Sequence, residues 1–395
     1  MKILVVCQHY WPEPFPLADI CETLVQNGHS VDIITDVPNY PLGYIYPEYK
    51  HGKNRRQERN GVKIIRTFTI GRRNNVLFRL LNYFSFAISS TIYALFTKEK
   101  YDVVLANQSS PVLMVSAALA YAKKHRKKTV FYCMDLWPAS LAIGGVKESS
   151  IIYKVFSVIS KFLYKRADRI LMTSKMFRGY FTDELGIEGQ KLGYLPQYAQ
   201  VDFSNCATEK ETDTIDLMFA GNVGAAQSIP TILQAAKLLE DEPTVRFHIV
   251  GDGSEYENSI ALKDSLGLGN VIFHGRHPIE EMPKFYKMAD AMLVTLSRDR
   301  FVTLTLPAKV QSYMAAGKPI IASADGEIPA VIKESGCGFT APSEDAEGLS
   351  RAVREFLAHT DKQSLSDAAL KFYSTNFTKE AFIEKLEKEL QDHCV

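Results

Sequence analysis

Short apolar runs alternate with helical stretches along the whole chain, and that alternation limits the fold more than any other feature. A first series of runs lies at 3–6, 31–35, 62–66, 103–106, 130–133 and 170–173. A second lies at 216–220, 246–250, 271–274, 291–294, 319–322 and 338–339. Runs this short and this apolar read as strands buried on both faces, the habit of parallel sheets covered by helices. Stretches such as 19–27, closed by Gly28, supply the helices. The expectation is an α/β chain of two Rossmann-like, doubly wound parallel sheets in series. A length of 395 residues suits two domains, each large enough to bury a full core. We place the first at 1–200 and the second at 201–372, joined by a polar linker at 197–213. The end of the chain, 373–395, includes a charged amphipathic helix at 378–391.

The formal net charge of +1 conceals a split. Residues 1–200 hold 27 Lys/Arg against 15 Asp/Glu, a net of +12, and 201–395 hold the remaining 19 and 30, a net of −11. A basic half suits nucleic acid, an anionic membrane or a phosphorylated ligand. No nucleic-acid module is present in the sequence, so nucleic acid ranks last. Six cysteines (Cys7, Cys21, Cys133, Cys206, Cys337, Cys394) show neither a CxxC pair nor metal-ligand spacing, which points to a reducing, cytoplasmic setting and away from a disulfide or zinc framework. The opening MKILVVCQHYWPE reads as a first buried strand rather than a signal peptide, because its apolar run breaks into His9, Trp11 and Pro12.

In open parallel sheets, ligands bind beyond the carboxyl ends of the strands. In the first half those ends carry His9 and Glu13, then Asn39 and Tyr40, then Asn107 and Gln108, then Asp135. In the second half they carry Gly221, Asn222, Gly224 and Gln227, then Gly251, Asp252 and Gly253, then Arg276 and His277. If the two rims face each other they form an interdomain cleft. Each residue also has a plain structural reading. Gly221 and Gly224 either turn a strand into a helix or let bare backbone approach a phosphate. Asp135 either caps the following helix or faces a ligand. His9 either holds its own loop or binds, and Arg276 makes either a surface ion pair or a ligand contact.

The segment TLPAKVQSYMAAGKPIIAS, 305–323, reads as a turn, a short helix and a buried strand. Thr305 is expected to cap the helix, and Pro307 near its start needs no amide partner. Lys309, Gln311 and Ser312 follow in or near the first turn, where free N–H groups and the helix dipole favour an anion. Two segments of the basic half bear on membranes. Residues 80–97 carry no charge but are too polar to span a bilayer, and read as a buried or interfacial helix. Residues 151–171 set Lys154, Lys161 and Lys165 on one helical face opposite Val155, Phe156, Ile159 and Phe162, which suits either a solvated face or an anionic membrane surface.

AGNVGAAQ (220–227), IVGDGSE (249–255), FHGRHPIEEMPKFYKMADAMLV (273–294) and TLPAKVQSYMAAGKPIIAS, in that order, resemble the family 4 glycosyltransferases of GT-B fold. DLWP (135–138) and VPNYPLGYIY (37–46) resemble the branch that builds bacterial polysaccharides, including N-acetyl-fucosaminyl-type transferases. The resemblance implies retaining transfer of a sugar, an N-acetylated hexosamine, from a UDP-linked donor, with no metal and no further cofactor. It implies a lipid-linked acceptor of the undecaprenyl-diphosphate type, or a polysaccharide acceptor, at the cytoplasmic membrane face, and a final helix that packs back on the N-terminal domain. By position, Gly251, Asp252, Gly253, Arg276 and His277 border the base. Gly221, Asn222, Gly224, Gln227, Pro307, Gln311 and Ser312 serve the diphosphate and sugar. Lys309 neutralises the leaving group, and Asp135 positions or deprotonates the acceptor, with His9, Glu13, Asn39, Tyr40, Asn107 and Gln108 beside it.

The sequence also departs from that family. Two glutamates eight residues apart are common around this helix, and Leu304 and Ser312 stand in their places. A protein carboxylate nucleophile at 304 is thereby excluded, which favours a front-side route assisted by the diphosphate. Two other readings accommodate the loss: a nucleotide-sugar 2-epimerase on the same fold, and a silent sugar-nucleotide-binding protein.

Overall fold

The computed structural model describes residues 1–73, 75–203, 206 and 213–394. Eight of the seventeen residues of the expected linker at 197–213, namely 204, 205 and 207–212, therefore lie outside the described residues. The chain divides into two compact units, Met1–Leu195 with Phe382–Val395, and Pro196–Ala381.

The first unit is built on eight strands: β1 Lys2–Val6, β2 Ser30–Thr35, β3 Arg56–Arg59, β4 Val62–Arg66, β5 Val103–Gln108, β6 Thr129–Cys133, β7 Arg169–Met172 and β8 Leu192–Tyr194. Their order is β3-β4-β2-β1-β5-β6-β7-β8. All neighbours pair in parallel except β3, which runs antiparallel to β4 on the edge. The second unit has β9 Ile215–Ala220, β10 Val245–Val250, β11 Val271–Gly275, β12 Ala291–Thr295, β13 Ile320–Ser323 and β14 Gly338–Ala341. Their order, β11-β10-β9-β12-β13-β14, is parallel throughout.

The central strands are apolar because helices cover both their faces. Ile3 to Val6 and Leu217 to Phe219 are entirely removed from solvent. In each sheet the order reverses beside the first strand, at β1 and β5 in one and at β9 and β12 in the other. Such a reversal splays the connecting helices apart and opens a crevice at the strand ends. His9 follows β1 and Gln108 ends β5; Gly221 follows β9 and Thr295 ends β12.

Several local expectations need correction. The helical segment at 151–171 stops earlier, as Ile151–Tyr164, and its last residues belong to β7. Its apolar residues are not all turned inward: Phe156 is buried, whereas Val155 and Phe162 are about half exposed, on the lysine-bearing side of the chain's basic half. The uncharged segment at 80–97 falls in the longer helix Val76–Phe96. Among the described residues, no helix is long and apolar enough to cross a membrane.

The tail helix Lys379–Asp392 lies against the first unit. Phe382 meets Tyr132 edge-on at 5.4 Å between centroids. Arg169 donates from Nε and Nη2 to the two carboxylate oxygens of Glu389, both at 2.7 Å. Glu387 accepts from Asn27 (2.8 Å) and pairs with His29 (3.1 Å).

Candidate functional site

In the second unit, the turns after β9, β10 and β11 are laced together by their backbones. Gly221 N donates to Val250 O and Val223 N to Asp252 O, both at 2.9 Å, and Gly251 N donates to Gly275 O at 2.8 Å. At Gly251 φ is +140°, and a Cβ would lie 1.8 Å from Gly221 O. Only glycine permits that approach. The glycine of this turn is thus demanded by packing, whatever else it serves. Asp252 is exposed and its Oδ1 accepts from Gly253 N at 2.7 Å.

The helix Ala308–Ala315 lies beside this lacework. Pro307 occupies the N-cap position, with no side-chain cap. Thr305 does not cap the helix as expected, because its hydroxyl donates to Val302 O at 2.7 Å. Val310 N donates back to Pro307 O at 3.0 Å, and no side chain caps the two amides before it, those of Ala308 and Lys309. Lys309, one residue into the helix, reaches the Gly221 turn. Its Nζ donates to Gln227 Oε1 at 2.6 Å and lies 3.8 Å from the centroid of the Phe219 ring. A Cβ on residue 221 would sit 2.9 Å from that Nζ, so the missing side chain makes room for the ammonium. Both contacts are with neutral groups, and burial lowers the Lys309 pKa to about 7. Gly221, Gln227 and Lys309 are therefore brought together around a cation with no anionic partner among the described residues.

Tyr313, one turn further along the same helical face, fixes this arrangement. Its hydroxyl accepts from Ala220 N and donates to Ala220 O, each at 2.9 Å, pinning the helix to the end of β9. Sequence reasoning missed Tyr313, and its spacing of four from Lys309 was the available signal. Other expected residues are spent internally. Gln311 is fully buried and its amide nitrogen turns back to Pro307 O (2.9 Å) and Ala308 O (3.3 Å). Ser312 Oγ donates to Ala308 O at 3.2 Å. His277 bonds Glu281 (2.8 Å) and His274 O (3.2 Å) within its own loop. Asn222 and Arg276 are exposed, and Gly224 is buried.

In the first unit, Asp135 is no helix cap, since the next helix, Ala139–Ile143, starts after Pro138 without one. Ser110 Oγ donates to Asp135 Oδ2 at 3.1 Å and receives Trp137 Nε1 at 2.9 Å. Burial pushes the Asp135 carboxyl above its ordinary range, and the Ser110 bonds hold it back in part. Gln108 is saturated, donating to Ser109 O (2.7 Å) and Asp135 O (3.0 Å) while accepting from Tyr164 (2.8 Å). Asn39 is likewise committed, donating to Asp36 Oδ2 (2.9 Å) and Val37 O (2.8 Å) and accepting from Asn82 and Arg72 N (3.3 Å each). These two amides hold loops in place and have little left for an acceptor. Asn107 keeps a buried Oδ1 that has no partner among the described residues.

Glu13 ties two loops together. Its Oε1 accepts from Asn39 N (2.7 Å) and Tyr40 N (2.6 Å), and its Oε2 meets His9 Nδ1 at 3.0 Å. Asp36 Oδ2 lies 3.8 Å from the same nitrogen. Burial, and then the charge of Glu13, drives Asp36 well above the usual carboxylate range. His9, Glu13 and Asp36 are the one group among the described residues whose ligand atoms converge closely enough for a metal ion, all within 4.8 Å. Three of their four carboxylate oxygens already receive N–H donors, which is the pattern of a hydrogen-bonded cluster.

Comparison with known proteins agrees across both units. Residues 17–197 match the domain described as Glycosyltransferase Family 4, and residues 203–371 match that described as Glycosyl transferases group 1. The probable glycosyltransferase WbjE of Pseudomonas aeruginosa is 28% identical over 307 residues, 72% of this chain and 73% of its own. The putative colanic acid biosynthesis glycosyl transferase WcaI of Escherichia coli K12 is 24% identical over 379 residues, 90% of this chain and 92% of its own. Alr3699/HepE of Anabaena, solved in complex with UDP, superposes with a TM-score of 0.73 at 15% identity over 99% of this chain and 100% of that one. The chain accordingly carries a family 4 glycosyltransferase domain followed by a group 1 glycosyl transferase domain, on the GT-B fold.

Proposed function

We propose that this protein is a retaining glycosyltransferase that moves an N-acetylated hexosamine from a UDP-linked donor to a lipid-diphosphate-linked saccharide at the cytoplasmic membrane face, with no metal taking part. The observation that carries the donor half is Lys309, an ammonium held over the Gly221 turn at a helix start, whose partners among the described residues are neutral. A diphosphate supplies the missing charge, and the uncapped amides of Ala308 and Lys309 at the helix start suit its oxygens. The complex of Alr3699/HepE with UDP supports uracil as the base.

Leu304 stands where a carboxylate nucleophile would act, so the transfer is read as front-side. The bond from the sugar C1 to the phosphate oxygen breaks as the bond from C1 to the acceptor oxygen forms. The acceptor's hydroxyl proton passes to the departing diphosphate. Lys309 stabilises the charge that builds on that leaving group, where electrostatic help counts most.

The acceptor half rests on the surface of the first unit. On the helix Val76–Phe96, Leu77, Leu81, Phe84, Ile88, Ile92 and Leu95 are all exposed, at spacings of three and four. On the helix Ile151–Tyr164, Ile151, Val155, Val158 and Phe162 repeat the pattern beside Lys154, Lys161 and Lys165. Phe84 and Phe156 bring the two helices together at 6.5 Å between ring centroids. Apolar stripes bordered by lysines suit the headgroup region of an anionic bilayer, where a lipid-linked acceptor resides.

A panel of UDP- and GDP-sugars, each with and without lipid-diphosphate saccharides, tests this reading. The expected result is nucleotide release that requires both a UDP-sugar and an acceptor. Interconversion of the donor sugar without an acceptor, or binding without turnover, would overturn it. Lys309→Ala should lower kcat by about 10²–10³ with a smaller loss of donor affinity.

A further inference from the structure

We propose that His9 is the residue that recognises the acceptor's hydroxyl, its Nε2 accepting a hydrogen bond from a saccharide O–H while Glu13 fixes the imidazole tautomer. This deepens the transferase reading and rests on it. His9 follows β1, at the point where strand order reverses, which is where a crevice opens in such sheets. Its Nδ1 lies 3.0 Å from Glu13 Oε2, a carboxylate oxygen that can only accept, so the ring proton sits on Nδ1. That leaves Nε2 with a lone pair. Among the described residues nothing donates to it, although the side chain is 4% exposed. An unfilled buried acceptor beside a second group that orients it is the arrangement of a site awaiting a donor.

The surroundings decide which donor. The Glu13 carboxylate lies 3.0 Å from Nδ1, so a phosphate or carboxylate ligand would meet repulsion. The nearby cation, Arg66, spends its guanidinium on Gln57 Oε1, Asp36 O and Trp11 O. A neutral hydroxyl meets neither obstacle. Phe15 stacks on the imidazole at 5.3 Å and 9°, and Tyr40 tilts over both rings at 5.7 and 5.4 Å. Both aromatic rings are only half-buried and offer apolar surface on which the C–H face of a ligand can pack. The ligand class is therefore a polyol with an apolar face, as a pyranose has.

Three variants separate the roles of the two nitrogens. His9→Gln places an amide oxygen near the Nε2 position and should keep acceptor kcat/KM within about fivefold of wild type. His9→Asn keeps only the bond to Glu13 and should lose about tenfold or more. Glu13→Gln still accepts from Asn39 and Tyr40 but presents N–H to His9, which moves the ring proton to Nε2 and should cost as much as His9→Asn. Donor affinity by calorimetry should stay within about twofold throughout. Equal acceptor kcat/KM in His9→Asn and wild type would overturn the proposal, as would loss of donor binding in step with loss of transfer. A ¹⁵N–¹H correlation spectrum of His9 gives a readout independent of activity. The Nδ1–H tautomer is expected in the wild type, and the Nε2–H tautomer or an imidazolium at pH 8 refutes the inference even if no transfer is found. If wild type transfers no sugar yet shows the Nδ1–H tautomer, the failure belongs to the transferase reading alone.

Discussion

A lysine drawn partly out of water with no carboxylate beside it has a charge that depends on its ligand. Lys309 has its pKa lowered to about 7 by burial, so above that pH the free protein holds it largely neutral. A bound diphosphate favours the charged form and lifts the pKa again. Donor binding should therefore take up a proton between pH 7 and 9, and affinity should fall as pH rises through that window, by at most about tenfold per unit. Below about pH 7 the lysine is already charged and the dependence should flatten. Calorimetry with a UDP-sugar in buffers of different ionisation enthalpy measures the uptake directly, and Lys309→Met should abolish it. Affinity that is flat from pH 7 to 9 in the wild type would remove Lys309 from the diphosphate site. The sequence made Lys309 and Gly221 legible because both sit beside turns whose chemistry is local. It did not show that Gln311 turns back on Pro307 or that Glu13 carries the 39–40 loop, since those bonds depend on where folding places distant backbone.

Elements were more legible than contacts. The central strands of both sheets announce themselves as apolar runs because both faces are covered. The strands that escaped notice are those for which this is untrue. β3 reads RQER on an antiparallel edge with exposed residues, and β8 is only LGY. The segment at 151–171 was misread at its end because helix and strand abut there with only a short turn between them, and apolar residues serve both. For the tail helix, the amphipathic pattern gives the element but not its partner. Its anchor is the bidentate Arg169–Glu389 pair, whose side chains are 23% and 13% exposed. A partly sheltered pair of this geometry is worth more than an ordinary surface ion pair. Glu389→Ala should lower unfolding stability by about 1 kcal/mol and speed proteolytic cleavage within the tail, as followed by mass spectrometry. Unchanged cleavage would mean that Phe382 and Leu386, both buried, hold the helix unaided.

For the molecule as a whole, the near-zero net charge misleads, because a basic half and an acidic half cancel. The structure adds what the charge count lacked: the basic half also exposes two apolar stripes, on the helices Val76–Phe96 and Ile151–Tyr164. Either feature alone has an ordinary explanation, a solvated face for the lysines and scattered surface residues for the apolar positions. Together they support the proposed membrane face, drawn to an anionic bilayer by charge and to its headgroup layer by shallow burial. Flotation with vesicles containing about 30% anionic lipid should carry the wild type upward, and purely zwitterionic vesicles should carry much less. Converting Lys154, Lys161 and Lys165 to Gln should remove roughly 1 kcal/mol each, about a hundredfold in partitioning, and raised salt should mimic that loss. Ile88→Glu with Val158→Glu should weaken binding too, but through the apolar term and with little change in the salt dependence. If the lysine variant floats as well as the wild type, the basic face is merely solvated. The acceptor must then reach the enzyme without the membrane surface holding the two together.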